Sequence, residues 1–444
     1  MKKLIIALAA LALVVPAFCA VENIKVGGDL TFIGVERNNF DLQKGSDDGE
    51  HFIYSGVRVY VSADLSNKVS TMVRFITEND FGMDEANAGY VPQLDLAYVK
   101  LSDLLTPGLS LTVGRQEIQI GEGLVVGSRY RVGDYGVASQ NSLSKGEDLG
   151  QMKAFDAVKL DYAFQGLPLS VSAFKAKIAE SYGISAGQVY IPISGWIYPD
   201  SDLDLLGISF LWKGEQYSLE PYYVDLVAYG QDYNIQTAGI RGTWNPAAVK
   251  GLALKAEYAK QFGNVTTGVD AAGWAGYIGA SYEFATNMKP TIYGVYNYFS
   301  GMSPTSTDMD AWIPVFPSNI ASRVGKIAYE AIFPAGETMP YYWYTGTPGL
   351  VDGLGSLKLG VSLNPTEKLG VSLDWFNLTA LETFGPRKGI GNEIDLGLTY
   401  AYTEDVALGL DIGYFMAGDN VKDIMGSGNE EDAWQLLGSI KIAF

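Results

Sequence analysis

The feature that most constrains this fold is a two-residue periodicity recurring along nearly the whole chain. In Lys68 to Glu78, Val69, Thr71, Val73 and Phe75 fall on one face, and Lys68, Ser70, Arg74 and Glu78 on the other. From Ala154 to Phe164, Val158, Leu160, Tyr162 and Phe164 oppose Lys159 and Asp161. From Asn392 to Tyr402, Ile394, Leu396, Leu398, Tyr400 and Tyr402 oppose Glu393, Asp395 and Thr399. A helix would spread these charges around its circumference, whereas a strand sorts them onto one side. There are about 18 such segments, each near the roughly ten residues that a tilted membrane strand needs. Their centres fall near Leu30, Val57, Val73, Tyr98, Val113, Leu160, Val171, Ile208, Tyr223, Ile240, Leu254, Ile278, Tyr293, Leu359, Leu373, Leu396, Leu410 and Ile440. The alternation blurs only in the Tyr98 and Val113 segments, near Arg115 and Glu117.

The links carry a second pattern. Counting from the second strand, every other link is short and rich in Pro, Gly and Asn, as in "DLSNK", "FQGLP", "TNMKP" and "NPTEK", the residues that tight turns favour. The intervening links are mostly longer, notably Ile120 to Lys153, Ala179 to Asp202 and Ser300 to Gly353. Short turns at one end and long loops at the other are the signature of an outer-membrane barrel. The expected fold is therefore all-β: a single antiparallel transmembrane β-barrel of about 18 strands, with short periplasmic turns and long extracellular loops. Ser300 to Gly353 is the least strand-like link. Its prolines and the "YYWY" run at Tyr341 to Tyr344 suggest a folded external loop, either a cover over the rim or a constriction in the mouth.

The N-terminus supports an exported protein. Met1-Lys2-Lys3 precedes an apolar run from Leu4 to Ala17 and the small residues of "AFCA", the layout of a secretory signal too short to span a membrane as a helix. Residues 1–20 are thus expected to be a signal peptide and 21–444 the barrel, without a linker or a second domain. Cys19 is the only cysteine, and Phe18 before it disfavours a lipidated cysteine. The mature chain then lacks thiol chemistry and disulfides. No apolar run reaches the length of a membrane helix, yet the chain carries 28 Tyr and 52 Gly. The net charge of −19 argues against nucleic acid as a partner.

Catalytic and metal chemistry have little support. His51 is the single histidine, and no partner for a hydrolytic base lies near it in sequence. "GEGLVVG" (Gly121 to Gly127) lacks the lysine and following helix of a phosphate loop. The acidic groups Asp47, Asp48 and Glu50; Asp200, Asp202 and Asp204; Asp308 and Asp310; and Glu430, Glu431 and Asp432 match no calcium-loop spacing and read as a solvated rim. No cofactor and no metal are expected.

The informative residues lie opposite the apolar face. By alternation Arg58, Arg74, Lys159, Arg241, Lys255, Glu257, Asp374, Glu393, Asp395 and Asp411 point away from it. A basic side chain facing lipid at mid-membrane costs about 2–4 kcal/mol, so these charges, with Arg115, are expected to line the lumen. A barrel of this width is not filled by its own side chains. The expected function is a passive channel for polar or charged solutes, small or polysaccharide, with selectivity set by those charges. The alternative is a structural or adhesive barrel whose acidic loops bind partners.

Three stretches resemble the alginate-export family of outer-membrane channels: "LDLAYVKL" with "GLSLTVGRQEIQIGEG" (Leu94 to Leu101 and Gly108 to Gly123), "KPTIYGVYNYFSGM" (Lys289 to Met302), and "GNEIDLGLTYAYTEDVALGLDIGYFMAGD" (Gly391 to Asp419). The resemblance implies an 18-stranded monomeric barrel exporting an anionic uronate polymer through an arginine-rich lumen. Arg115 sits in the matching "GRQ". Two positions depart from the pattern: Leu96 replaces the acid before "AYV", and Leu124 replaces a basic residue. With the acidic net charge, these leave the channel implied and alginate as its substrate open.

The chain ends "AWQLLGSIKIAF", with Ile440, Ile442 and Phe444 on one face and Gln435 and Lys441 on the other. Such a strand suits a closing seam, with the first face toward outer-membrane lipid. Its terminal aromatic also resembles the signal read by the barrel-assembly machinery.

Overall fold

The computed structural model describes residues 22–45, 48–82, 92–128, 149–179, 189–191, 195–197, 202–229, 232–303, 305–318, 321–328, 352–382, 387–425 and 428–444. The expected signal segment, Tyr341 to Tyr344, Asp47 and Asp200 lie outside the described residues, as do most of the links expected at 120–153 and 179–202.

Eighteen strands form the wall: β1 (Glu22–Asn38), β2 (Glu50–Ser66), β3 (Val69–Asp80), β4 (Gln93–Ser102), β5 (Leu109–Gln116), β6 (Phe155–Ala163), β7 (Leu169–Ala179), β8 (Leu203–Lys213), β9 (Tyr217–Ala228), β10 (Tyr233–Trp244), β11 (Leu252–Thr266), β12 (Trp274–Glu283), β13 (Thr291–Phe299), β14 (Asp352–Leu363), β15 (Leu369–Glu382), β16 (Gly389–Ala401), β17 (Val406–Ala417) and β18 (Ala433–Ala443). A two-residue strand, Val269–Asp270, adds a short hairpin to β11 and brings the sheet to 19 strands. Each strand pairs antiparallel with its neighbours, and β1 closes onto β18 from Asp29↔Ala443 to Asn38↔Trp434. Gly28 and Phe444 exchange both backbone hydrogen bonds, at 2.9 and 3.0 Å. The terminal aromatic thus lies in the seam, and the wall itself closes without a free edge. All 18 expected centres fall inside strands. The periplasmic links run from 67–68 to 245–251 at their shortest and longest, while the longest extracellular link is 300–351.

Burial is inverted relative to a soluble protein. Ile394 and Tyr400 are each 41% exposed, whereas Glu393 and Asp395 on either side of Ile394 are 0% and 5% exposed. The apolar face therefore meets lipid and the charges point inward. Outward aromatics gather at two levels. Tyr258, Trp274 and Tyr298 cluster toward the extracellular ends, with Trp274 and Tyr298 stacked at 3.9 Å. Trp212, Tyr217 and Trp244 stand exposed near the periplasmic turns. Such girdles mark the two membrane interfaces.

This inside-out arrangement gives a direct test. Ile278 in β12 is 66% exposed, and the adjacent Tyr277 is 5% exposed. Ile278→Arg should cost about 2–4 kcal/mol of barrel stability in lipid, and Ile278→Leu almost nothing. Urea unfolding of the barrel refolded into vesicles checks both. Equal stability of the two variants would mean that this face does not meet lipid.

The barrel is not left hollow. Two extracellular links turn back inside over their described residues 117–128, 300–303, 305–318 and 321–328. Their apolar side chains, including Ile120, Val126, Trp312, Ile313 and Phe316, pack with Phe155, Phe299 and Phe415 of the inner wall into one buried cluster. The links hold each other through backbone bonds: Gly127 N–H to the Phe316 carbonyl at 2.7 Å, Phe316 N–H to Val125 at 2.9 Å and Ser318 N–H to Gly123 at 2.8 Å. Gly123 (φ +75°) has no room for a side chain, since a Cβ there would lie 2.1 Å from Ser318 Oγ. Ile313 pairs both its backbone groups with the fully buried Gln261 amide, at 2.8 and 2.6 Å. Side chains alone do not fill a barrel of this width, and folded links occupy part of the interior here. The described part of the 300–351 link thus packs on the inner wall as a constriction, instead of lying over the rim.

Candidate functional site: the inner wall and its folded links

Strand pairing places ten of the eleven sequence-derived residues on one face. Glu220↔Arg241↔Glu257↔Tyr277↔Asn297↔Ser356 runs across neighbouring strands, and Thr243↔Lys255 and Val295↔Lys358↔Phe376↔Glu393 follow the same side. Asp374↔Asp395 and Gly397↔Asp411 continue it. Asp29↔Arg58, Lys100↔Thr112↔Lys159, and Arg74 opposite Tyr60 lie on it as well. Arg115 is the correction. It pairs with Ala97 and Asp156 and shares the outward face of Val113 and Val158, where its guanidinium bonds Asp156 at 3.0 Å. Its inward neighbours are Gly114 and Gln116, and Gln116 is 4% exposed. The "GRQ" match had suggested the lumen, but strict alternation from Val113 gives the observed face.

The inward charges form three groups. Between β10 and β14, Glu122 from the 117–128 link reaches Lys255 Nζ at 2.8 Å and Arg241 Nη2 at 3.2 Å. Arg323 lies over the Tyr277 ring, 4.6 Å from its centroid, and donates to the Glu122 carbonyl at 3.3 Å. Lys358 bonds Asp374 at 2.9 Å, beside the Tyr293 hydroxyl, which donates to Asp374 at 2.6 Å. Glu257 is 4% exposed and accepts the Tyr222 hydroxyl at 2.7 Å. Burial alone would raise the Glu122 carboxyl, but the hydrogen bonds and charges of Lys255 and then Arg241 outweigh it. They hold the group below the usual carboxylate range.

The second group lies on β15 to β17 and is covered. Glu393 accepts the backbone N–H of Ile327 at 2.9 Å and of Ala328 at 2.8 Å, just past the short helix α1 (Ala321–Val324). Lys326 bonds Asp411. These acids clamp the 321–328 segment to the wall, and Asp395 is buried next to Glu393. The third group is on β1 to β6. Arg58 bonds Asp29 at 2.9 Å, Arg74 bonds Asp95 and, at 2.7 Å, Glu117, and Lys159 bonds Asp161 at 3.0 Å. The acids at the extracellular end mostly tie loops. Asp48 accepts the N–H of Asn39 and Asp41, and Asp432 accepts from Ala417 N–H and the Tyr414 hydroxyl. Among the described residues no group of three or more acids, histidines or cysteines is placed to hold a metal.

Below the first group opens a cavity of about 810 Å³, lined by Lys255, Lys358, Arg323, Glu122, Tyr293 and Asn297 among others. It lies on the periplasmic side of the constriction, since its lining reaches Asn245 and Thr291 beside the short turns. Among the described residues three cations and one acid border it, although the whole chain carries −19.

The sequence profile described as alginate export matches residues 209–434, just over half of the chain. The chain belongs to the alginate export family. Two of the three stretches read as family-like lie inside the match, and the Leu94 to Gly123 pair lies before it. No curated protein sequence matches the chain. Among solved structures it resembles Pseudomonas aeruginosa OccK9 (OpdG), with a TM-score of 0.60 at 11% identity over 96% of this chain and 100% of that one. It also resembles Pseudomonas aeruginosa OpdO (0.58, 13%, 96% and 98%) and OprD from the same organism (0.56, 11%, 96% and 97%). At these identities the likeness concerns the fold. This alginate export family member is a channel-forming β-barrel of the bacterial outer membrane.

Sequence reading missed Asp29, Asp95, Glu117, Glu122, Arg323, Lys326 and Lys358. Lys358 was within reach, since it alternates with Leu357 and Leu359. Arg323 and Lys326 sit in an aperiodic link, where alternation has nothing to say.

Proposed function

We propose that this barrel is a passive channel for anionic, carboxylate-bearing solutes such as acidic saccharides. The cavity bordered by Lys255, Lys358 and Arg323 carries this reading. A polar chamber with three cations and a single acid, set inside an acidic protein, concentrates anions where the folded links narrow the way. The family's description as alginate export supports the same class, an anionic polysaccharide. Tyrosine faces hold the ammonium groups in place, since Lys255 Nζ and Lys358 Nζ lie 5.4 and 5.6 Å from the Tyr277 and Tyr293 centroids. The remaining charged residues of the inner wall tune the field, except where Glu393, Asp395 and Glu257 are buried and act as struts. Catalysis has no part in this reading: His51 bonds Glu36 at 2.8 Å on the exposed outer wall. The barrel works as a monomer, and its terminal strand serves the assembly machinery as an address.

Planar-bilayer recording tests the reading. Purified protein should give discrete conducting steps with a preference for anions. Lys255→Met with Lys358→Met should move the reversal potential in a salt gradient toward cations. A second reading, a closed barrel serving as a surface scaffold, draws on the apolar packing of Trp312, Val315 and Phe316 inside the wall. Absence of steps from the folded protein would favour it and sink the channel.

A further inference from the structure

Glu122 is the one acid among the described residues lining the cavity. Its carboxylate takes one hydrogen bond from Arg241 and one from Lys255, the geometry in which a solute carboxylate would be received. We propose that Glu122 is a built-in competitor: it occupies the Arg241–Lys255 pair, and a passing solute carboxylate displaces it. This rests on the proposal that anionic solutes traverse the barrel.

Three observations carry it. First, the contact is reached from the cavity through Glu122 and Lys255, whose side chains are 31% and 36% exposed and border it, with Arg241 behind them at 16%. Second, the segment does not depend on this carboxylate for its position. Ile120 N–H bonds Val126 at 3.0 Å, Gly123 N–H bonds Ile120 at 2.9 Å, and Gly127 and Ser318 tie the segment to the neighbouring link. The side chain can swing while the backbone stays. Third, with Glu122 gone the Lys255 ammonium would stand bare in the passage, while Arg241 keeps only Glu220 at 3.9 Å and the Tyr277 hydroxyl at 3.3 Å, and the pair would hold an anion too long. Conduction needs a site that solutes enter readily and leave readily. Exchanging one carboxylate for another keeps the cations paired throughout, so capture and release are both nearly balanced.

The test is block of ion current by glucuronate in bilayers holding the full-length barrel, with glucose as the uncharged control. Removing an intramolecular charge-assisted hydrogen-bond partner should lower the half-blocking glucuronate concentration about tenfold in Glu122→Gln. Glucose should be unaffected, and the reversal potential should move toward anions. Glu122→Asp is one methylene too short to span both cations and should shift the same way by less, which guards against a misfolded Gln variant. If glucuronate blocks wild type and Glu122→Gln at the same concentration, the competitor is overturned and the anionic-solute reading stands. A glucose response shifted equally also overturns it, because pore shape would then have changed. If glucuronate affects neither protein while current flows, the solute class itself fails.

Discussion

Glu393→Ala should release the 321–328 segment from the barrel wall. The Glu393 side chain is fully buried and accepts two backbone N–H groups, those of Ile327 and Ala328. Alanine leaves both donors buried without a partner, at about 1–3 kcal/mol each. Gly325 next to them has φ +101°, and a Cβ there would lie 2.4 Å from Glu393 Oε2, so the turn and the carboxylate are fitted to each other. Arg323 is 6% exposed in the docked state and should resist trypsin. In Glu393→Ala its cleavage should speed up roughly a hundredfold, through a larger open population. Single-channel conductance should rise with it, because the segment narrows the lumen. Glu393→Gln keeps one acceptor and should fall between. The wall itself should stay intact, since the β15–β16 and β16–β17 ladders are backbone bonds. Unchanged cleavage in Glu393→Ala would mean that other contacts hold the segment.

The wall was legible in the sequence and the interior was not. A strand with lipid on one side and a polar lumen on the other must alternate, so Ile394 against Glu393 and Val158 against Lys159 reported their faces directly. The links obey no such rule. Nothing periodic marks Ile120 or Trp312 as residues that fold inside, and "GEGLVVG" showed only what it lacked. Gly123 and Gly127 serve the close crossing with Ser318, Gly121 makes room for Arg241, and the motif's glutamate meets cations contributed by strands more than a hundred residues later. Glu393 and Asp395 were placed on the correct face, yet their burial under a distant link depends on a contact that spacing cannot express. Arg115 shows the opposite case, where a short motif suggested one face and alternation the other.

Arg74→Ala should strongly destabilise the wall, and it rests on a residue that alternation hid. Leu96, read as the loss of an acid, does pair with Arg74, but the register slips between Arg74 and Phe75. That bulge places two β4 residues, Asp95 and Leu96, opposite one on β3. Asp95, 0% exposed, therefore turns inward onto the Arg74 guanidinium. The acid was displaced by one position and the bulge restores it. Removing Arg74 strands a buried carboxylate, at about 3–5 kcal/mol, and also frees Glu117, whose bond to Arg74 is 2.7 Å. Asp95→Asn should cost less, because Arg74 keeps Glu117. The double variant Arg74→Ala with Asp95→Asn should recover much of the loss, since no uncompensated charge remains buried. Urea unfolding of the four proteins in lipid vesicles closes this cycle. Additive losses would mean that Asp95 and Arg74 do not depend on each other, and that the bulge serves only to bend the strand.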